Sequence, residues 1–165
     1  MNPLHNVNAE TGQAYFVDVV PHSCELGLRY VESAPGRLQL SLPWREDLVG
    51  DPDTGVIHGG AITTLFDATF GGALLSELSE LRRIATLDLR IDYLRAAQSG
   101  ATVFCDARVD RLTKHIAFIR AVAHDGDPED LIAIGVASFV VFQDQVSGHA
   151  REGDPTTWKV HRVAD

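Results

Sequence analysis

The 165-residue sequence is poor in several things that would each have pointed to a different class of protein. Two cysteines, Cys24 and Cys105, stand far apart; they make neither a disulfide framework nor a zinc knuckle, and they fit a reducing compartment. The histidines (His5, His22, His58, His115, His124, His149, His161) are scattered without ligand spacing, so no metal is expected. The opening MNPLHNVNAE lacks the basic and apolar regions of an export signal, so the expectation is a cytoplasmic protein. The longest apolar run, LIAIGVASFVVF at 131–142, is too short to span a bilayer. There is no GxSxG nucleophile elbow, P-loop, GxGxxG or HExxH, which removes the chemistries those motifs carry. Basic residues are also scarce: 14 Lys and Arg against 23 Asp and Glu give a net charge of −9, which argues against nucleic acid as a partner.

What is present is a core. At 45% hydrophobic residues, a chain of this length buries enough apolar surface for one domain without staples. The charge is uneven. Between Arg82 and Arg120 eight basic residues face four acidic ones, so that window carries +4 and the remainder −13. Solvated strand faces account for such a pattern, and so does a phosphate-bearing ligand lying over the segment.

Residues 13–23 predict a short helix, broken by Pro21. Residues 28–31 and 37–42 predict strands around the turn at 33–36, the second alternating with period two. WREDLVGDPDTG, at 44–55, reads as a polar loop. Residues 57–80 carry the one strong helix signal, apolar nearly all round at the centre, as in a helix enclosed by other elements. Strands are expected near 84–94, 101–111, 115–124 and 131–142, joined by turns at 96–100, 112–114 and 125–130. In 86–93 apolar and polar residues alternate, giving one buried face and one exposed or functional face. The expected organisation is an N-terminal segment over 1–24, a domain over 25–142 and a polar, loosely attached tail over 143–165. Strands joined by short turns, with one helix between the first two and the last four, define an α+β domain: an antiparallel sheet packed on a central helix.

Chemistry concentrates on that helix. Between Gly59 and Ser76 the only ionisable residue is Asp67. A carboxylate in an otherwise apolar helix costs several kcal/mol unless paired or hydrogen-bonded. Thr63 or Thr64, one turn back, could satisfy it; it could lie on an exposed strip; or it could be functional. The helix entry, GVIHGG at 55–60, brings glycine backbone to a first turn whose N–H groups have no internal acceptor. Such a turn can hold a developing oxyanion. A plain glycine loop with a structural His58 would look the same. Gly59 and Asp67 are eight residues apart, about 12 Å along a helix rising ~1.5 Å per residue. One carbonyl carbon cannot touch both on one helix. If both act together, two copies of the helix face each other antiparallel, and the site needs a two-fold dimer.

HGG, Asp67 nine residues after His58, Thr86-Leu87-Asp88 and Ile91-Asp92-Tyr93-Leu94-Arg95 together resemble the hotdog-fold acyl-CoA thioesterases of the phenylacetate-degradation type, over roughly residues 25–142. The resemblance implies a sheet wrapped around one long helix and homodimers with shared sites, in some members paired as tetramers. It implies hydrolysis of an acyl- or aryl-CoA thioester, with coenzyme A as part of the substrate and no separate cofactor. Asp67 would activate water or attack the thioester, the Gly59 N–H of the partner copy would polarise the carbonyl, Thr86 would hold the carboxylate or the water, and His58 would support the glycine loop. Gly60, Phe66, Phe70 and Tyr93 fall to the substrate, the aromatics as acyl-pocket candidates that serve equally well as core. Arg111, Lys114 and Arg120 are candidates for the coenzyme A phosphates. One position departs from the family: Asp51 stands where many members carry an Asn, and an ionised Asp cannot donate a hydrogen bond. That departure keeps open a non-catalytic acyl-CoA binder. A hotdog hydratase or dehydratase would need an Asp and His paired close together on the helix, and this sequence has none.

Overall fold

The computed structural model describes residues 2–145. A helix of nineteen residues, α3 (Gly59–Glu77), is held in the curve of a six-stranded antiparallel sheet. The strands are β1 (Arg29–Ala34), β2 (Arg37–Leu42), β5 (Arg82–Tyr93), β6 (Val103–Leu112), β7 (Ile116–His124) and β8 (Leu131–Gln145), in the spatial order β1-β2-β6-β7-β8-β5. The hairpins β1-β2, β6-β7 and β7-β8 follow chain order because their turns are short; β5 instead returns to the far edge beside β8. The polar tail expected after position 143 lies outside the described residues, except that β8 extends to Gln145.

The buried face of β6, β7 and β8 is rich in small residues. Ala107, Ala117, Ala121, Ala123, Ala133 and Ala137 are all buried there, and large side chains enter from α3. Phe66 and Phe70 are fully buried, their rings 5.7 Å apart, over Gly135 of β8. A Cβ at Gly135 would sit 2.8 Å from the Phe66 ring, closer than packed atoms approach. The two phenylalanines are therefore core.

Three expectations change at this level. Helical structure in the N-terminal segment is longer than 13–23: α1 (Ala9–Gln13) continues into a π-helical turn at Ala14–Asp18, and α2 (Pro21–Leu26) follows. Pro21 opens α2 at its first turn, where a missing N–H costs nothing. This segment is part of the core, contributing Leu4, Phe16 and Val17. Buried Asn2 donates from Nδ2 to the carbonyls of Leu75 and Leu78 at 2.8 and 2.6 Å, satisfying acceptors that the C-terminus of α3 leaves open. The polar stretch at 44–55 is also not wholly loop. It holds a 3-10 turn at Glu46–Leu48 and the strand β3 (Val49–Asp51), which pairs with β4 (Val56–Ile57).

The third change concerns β5. Uninterrupted alternation puts Thr86 on the same face as Asp88, Arg90 and Asp92. The ladder to β8 slips between Thr86, opposite Phe139, and Asp88, opposite Ser138, leaving Leu87 as a bulged extra residue. The bulge reverses the alternation. Ile84 and Thr86 before it, and Leu89, Ile91 and Tyr93 after it, all turn toward α3, while Leu87 is 57% exposed.

Candidate functional site

The open strip of α3 runs through Gly60, Thr64, Asp67, Ala68, Gly71 and Leu75, at the spacing of one helix face. Asp67 stands on this strip, exposed in the single chain. Its Oδ1 accepts a hydrogen bond from Thr86 Oγ1 at 2.9 Å. Thr63 and Thr64 do not serve it: their hydroxyls donate back to the carbonyls of Gly59 and Gly60, at 3.0 and 3.2 Å. The carboxylate is thus oriented from the sheet, by the residue that the Leu87 bulge turned inward.

At the entry of α3, His58 is the N-cap, and its Nδ1 accepts from Gly60 N–H at 2.9 Å. That bond places the proton of a neutral His58 ring on Nε2. Tyr93 donates its hydroxyl to the Gly59 carbonyl at 2.8 Å and lies 3.0 Å from Thr63 Oγ1. Tyr93 therefore braces the glycine turn. Gly60 N–H is occupied by His58, and Ala61 N–H by the His58 carbonyl. Among the described residues Gly59 N–H meets no acceptor, and it points out of the positive end of a nineteen-residue helix.

Two cavities flank the strip. One of about 280 Å³ lies between α3, β5, β8 and the N-terminal helical segment, lined mainly by apolar side chains, with Asp67 and Thr64 on its wall. The other, about 470 Å³, lies at the helix entry beside His58, Gly60, Asp47 and Val49. His22 and Thr64 border both, with His22 Nε2 3.4 Å from Thr64 Oγ1.

The remaining expected site residues lie elsewhere. Phe66 and Phe70 do not line the apolar cavity; they are turned into the sheet, over Gly135. Asp51 uses its carboxylate within its own turn, accepting from Asp53 N–H at 3.1 Å and Thr54 Oγ1 at 2.7 Å. Arg120 pairs with Asp110 at 2.6 Å and borders a groove on the outer face of the sheet, with Arg90 and Asp92. Arg111 is exposed opposite Phe118, and Lys114 is exposed in the β6-β7 turn. None of the three basic residues borders either cavity beside α3.

Tyr15, Val19, Val20, His22, Gly71, Leu75, Ile84 and Phe139 line the apolar cavity and were not singled out by sequence reasoning. They come from four separated segments, and no local pattern marks them as the walls of one cavity. Burial pushes the Cys105 thiol well above its ordinary range, so it is a packing residue and not a nucleophile. Among the described residues no group of three or more His, Cys, Asp or Glu could hold a metal ion, and no helix is long and apolar enough to cross a membrane.

A lone carboxylate and an open helix N-terminus on a sheet-wrapped helix define a class, and comparison with known proteins agrees with it. Residues 54–132 match the family model of the thioesterase superfamily. A candidate esterase of Halobacterium salinarum is 34% identical over 128 residues, spanning 72% of this chain and 83% of that protein. The medium/long-chain acyl-CoA thioesterase YigI of Salmonella typhimurium is 29% identical over 139 residues, 76% of this chain and 88% of its own. A solved mutant of the phenylacetic acid degradation protein PaaI from Thermus thermophilus superposes with a TM-score of 0.66 at 26% identity, covering 74% of this chain and 100% of that one. The chain belongs to the thioesterase superfamily, and its fold is the hotdog.

Proposed function

We propose that the protein hydrolyses acyl-CoA thioesters to a carboxylic acid and free coenzyme A, at sites shared by two antiparallel copies. The observation that carries this reading is the hydrogen bond from Thr86 to Asp67 at the wall of an apolar cavity. It holds one carboxylate oxygen and leaves the other for a water molecule or a thioester carbon.

Asp67 acts as general base or as nucleophile. As a base it takes a proton from water while the water oxygen bonds to the thioester carbon, and the carbonyl electron pair moves onto oxygen. Gly59 N–H of the second copy receives that oxyanion. Re-forming the carbonyl breaks the C–S bond, and the sulfur leaves as a thiol with the proton that Asp67 took from water, which restores the carboxylate. The unpaired Gly59 N–H and the ~12 Å separating it from Asp67 along α3 both support the shared arrangement. Arg111 and Lys114 are the candidates for the coenzyme A phosphates. Arg120, paired with Asp110, is a third.

Replacing Asp67 by Asn should lower thioester turnover by about 10²–10⁴-fold while leaving the assembled mass unchanged; near-normal turnover would remove Asp67 from the chemistry. A second reading, a non-catalytic acyl-CoA binder, is favoured by Asp51, whose carboxylate is spent inside its own turn and offers the substrate no donor. Thiol release across a panel of acyl-CoA substrates separates the two, because a binder takes up the ligand without releasing thiol.

A further inference from the structure

Gly71 and Gly72 sit side by side in the middle of α3, where glycine weakens a helix. Packing accounts for only one of them. A Cβ on Gly72 would run into Leu38 Cδ2 and fall 3.0 Å from the Phe16 ring, so packed core side chains would have to shift to admit it. A Cβ on Gly71 would meet nothing closer than Ile84 Cδ1 at 3.7 Å and Phe139 Cε1 at 3.8 Å. Those are ordinary contacts, and the fold would accept a side chain at 71. What glycine provides at this position is space, and the space belongs to the apolar cavity beside Asp67.

On α3 the lining of that cavity runs from Thr64 past Asp67 to Leu75, and Asp67 and Leu75 stand eight residues or about 12 Å apart along the helix. The cavity volume of about 280 Å³ would house roughly nine groups the size of a water molecule or methylene at ~30 Å³ each. The opposite wall is the N-terminal segment, where Tyr15, Val19 and Val20 face α3 across the cavity. This wall is anchored: Gln13 accepts from Tyr30 N–H at 2.8 Å through Oε1 and donates to Asp18 at 2.9 Å through Nε2. The π-helical turn at Ala14–Asp18 belongs to a class of distortion that concentrates at functional positions.

We infer that this cavity is the acyl subsite, that it takes a straight, medium-length alkyl chain running from Asp67 toward Leu75, and that Gly71 sets how much of the chain it admits. The inference rests on the proposed function for its choice of ligand. It assigns the subsite to the N-terminal segment and the α3 strip, in place of Phe66 and Phe70.

S-alkyl-CoA thioethers, which cannot be hydrolysed, test it by calorimetry independently of catalysis. With the wild-type protein, affinity should rise about fourfold per methylene up to roughly nine or ten carbons and then level off. In Gly71→Leu the added side chain displaces about four methylenes, so the S-decyl affinity should fall about 100-fold or more while S-ethyl-CoA binds as before. In Gly71→Ala, which the 3.7 Å contact shows to be accommodated, the fall should be smaller and in the same direction, so a Leu variant that fails to fold leaves the test intact. Equal loss at every chain length, no loss at any, or an S-benzyl thioether binding as tightly as S-decyl would overturn the assignment. Acyl-CoA hydrolysis by the wild type is read in parallel. A protein that binds the thioethers with this length profile but releases no thiol keeps the subsite and loses the proposed function.

Discussion

Thr86 reaches Asp67 across 2.9 Å because Leu87, the next residue, is bulged out of β5. Without the bulge Thr86 would follow the register of Asp88, Arg90 and Asp92 and face away from α3. One irregularity in a strand thus assembles the hydrogen bond on which the proposed chemistry depends. Replacing Thr86 by Val keeps the shape and removes the donor. Turnover should fall about tenfold or more, the worth of a hydrogen bond to a charged group, and Thr86→Ser should restore most of it. Steady-state kinetics with both variants checks this. Deleting Leu87 should be as damaging as Thr86→Val, because it turns Thr86 to the outer face.

His58 joins the helix entry to the glycine turn through Nδ1 and Gly60 N–H. Substitution by Ala removes the cap and should cost about 1 kcal/mol in chemical denaturation, whereas Asn, a strong N-cap residue, should recover it.

Phe66 is a core residue, and its substitution should register as stability. Phe66→Ala should cost about 3–5 kcal/mol. Gly135→Ala, which forces a Cβ to 2.8 Å from the same ring, should also destabilise. Urea unfolding of both variants measures the effect. A Phe66→Ala protein of wild-type stability with altered acyl preference would return Phe66 to the substrate.

The Arg95–Asp125 pair ties the loop after β5 to the β7-β8 turn. Arg95 meets both Asp125 oxygens at 2.6 and 2.9 Å, and Asp125 also accepts from Gln98 N–H. The guanidinium lowers the Asp125 pKa to about 2. Since the folded value lies below the unfolded one, the stabilisation is complete above pH ~4 and is lost as pH falls toward 2. Wild-type melting temperature should drop across that window, and Arg95→Ala should melt lower at neutral pH and lose most of that acid dependence.

The helix and the main strands could be read from the sequence because their signals are local: an apolar run of helical length, and alternation between short turns. Asp67 stood out as the only ionisable residue between Gly59 and Ser76. The family resemblance put Thr86 beside the carboxylate, but alternation alone turned it the other way, since the polar-apolar pattern of 86–93 is perfect in the sequence and only pairing with β8 breaks it. The cavity wall was hidden for a different reason. Tyr15 and Val19 meet Gly71 and Leu75 across some fifty residues, and no local pattern reports such a contact. Phe66 and Phe70 were ambiguous because helical spacing does not distinguish a side chain facing the sheet from one facing a cavity.

The central claim is that Asp67 of one copy works with Gly59 of another. Gly59 is the first residue of α3 and follows extended backbone at His58, so Gly59→Pro removes the N–H at a position where proline is tolerated. Asp67→Asn and Gly59→Pro should each inactivate the protein alone. Unfolded together, mixed equally and refolded, they should recover about a quarter of wild-type turnover, because half the dimers are mixed and each of those carries one intact site of two. Mixtures no more active than the separate variants would contradict the shared site.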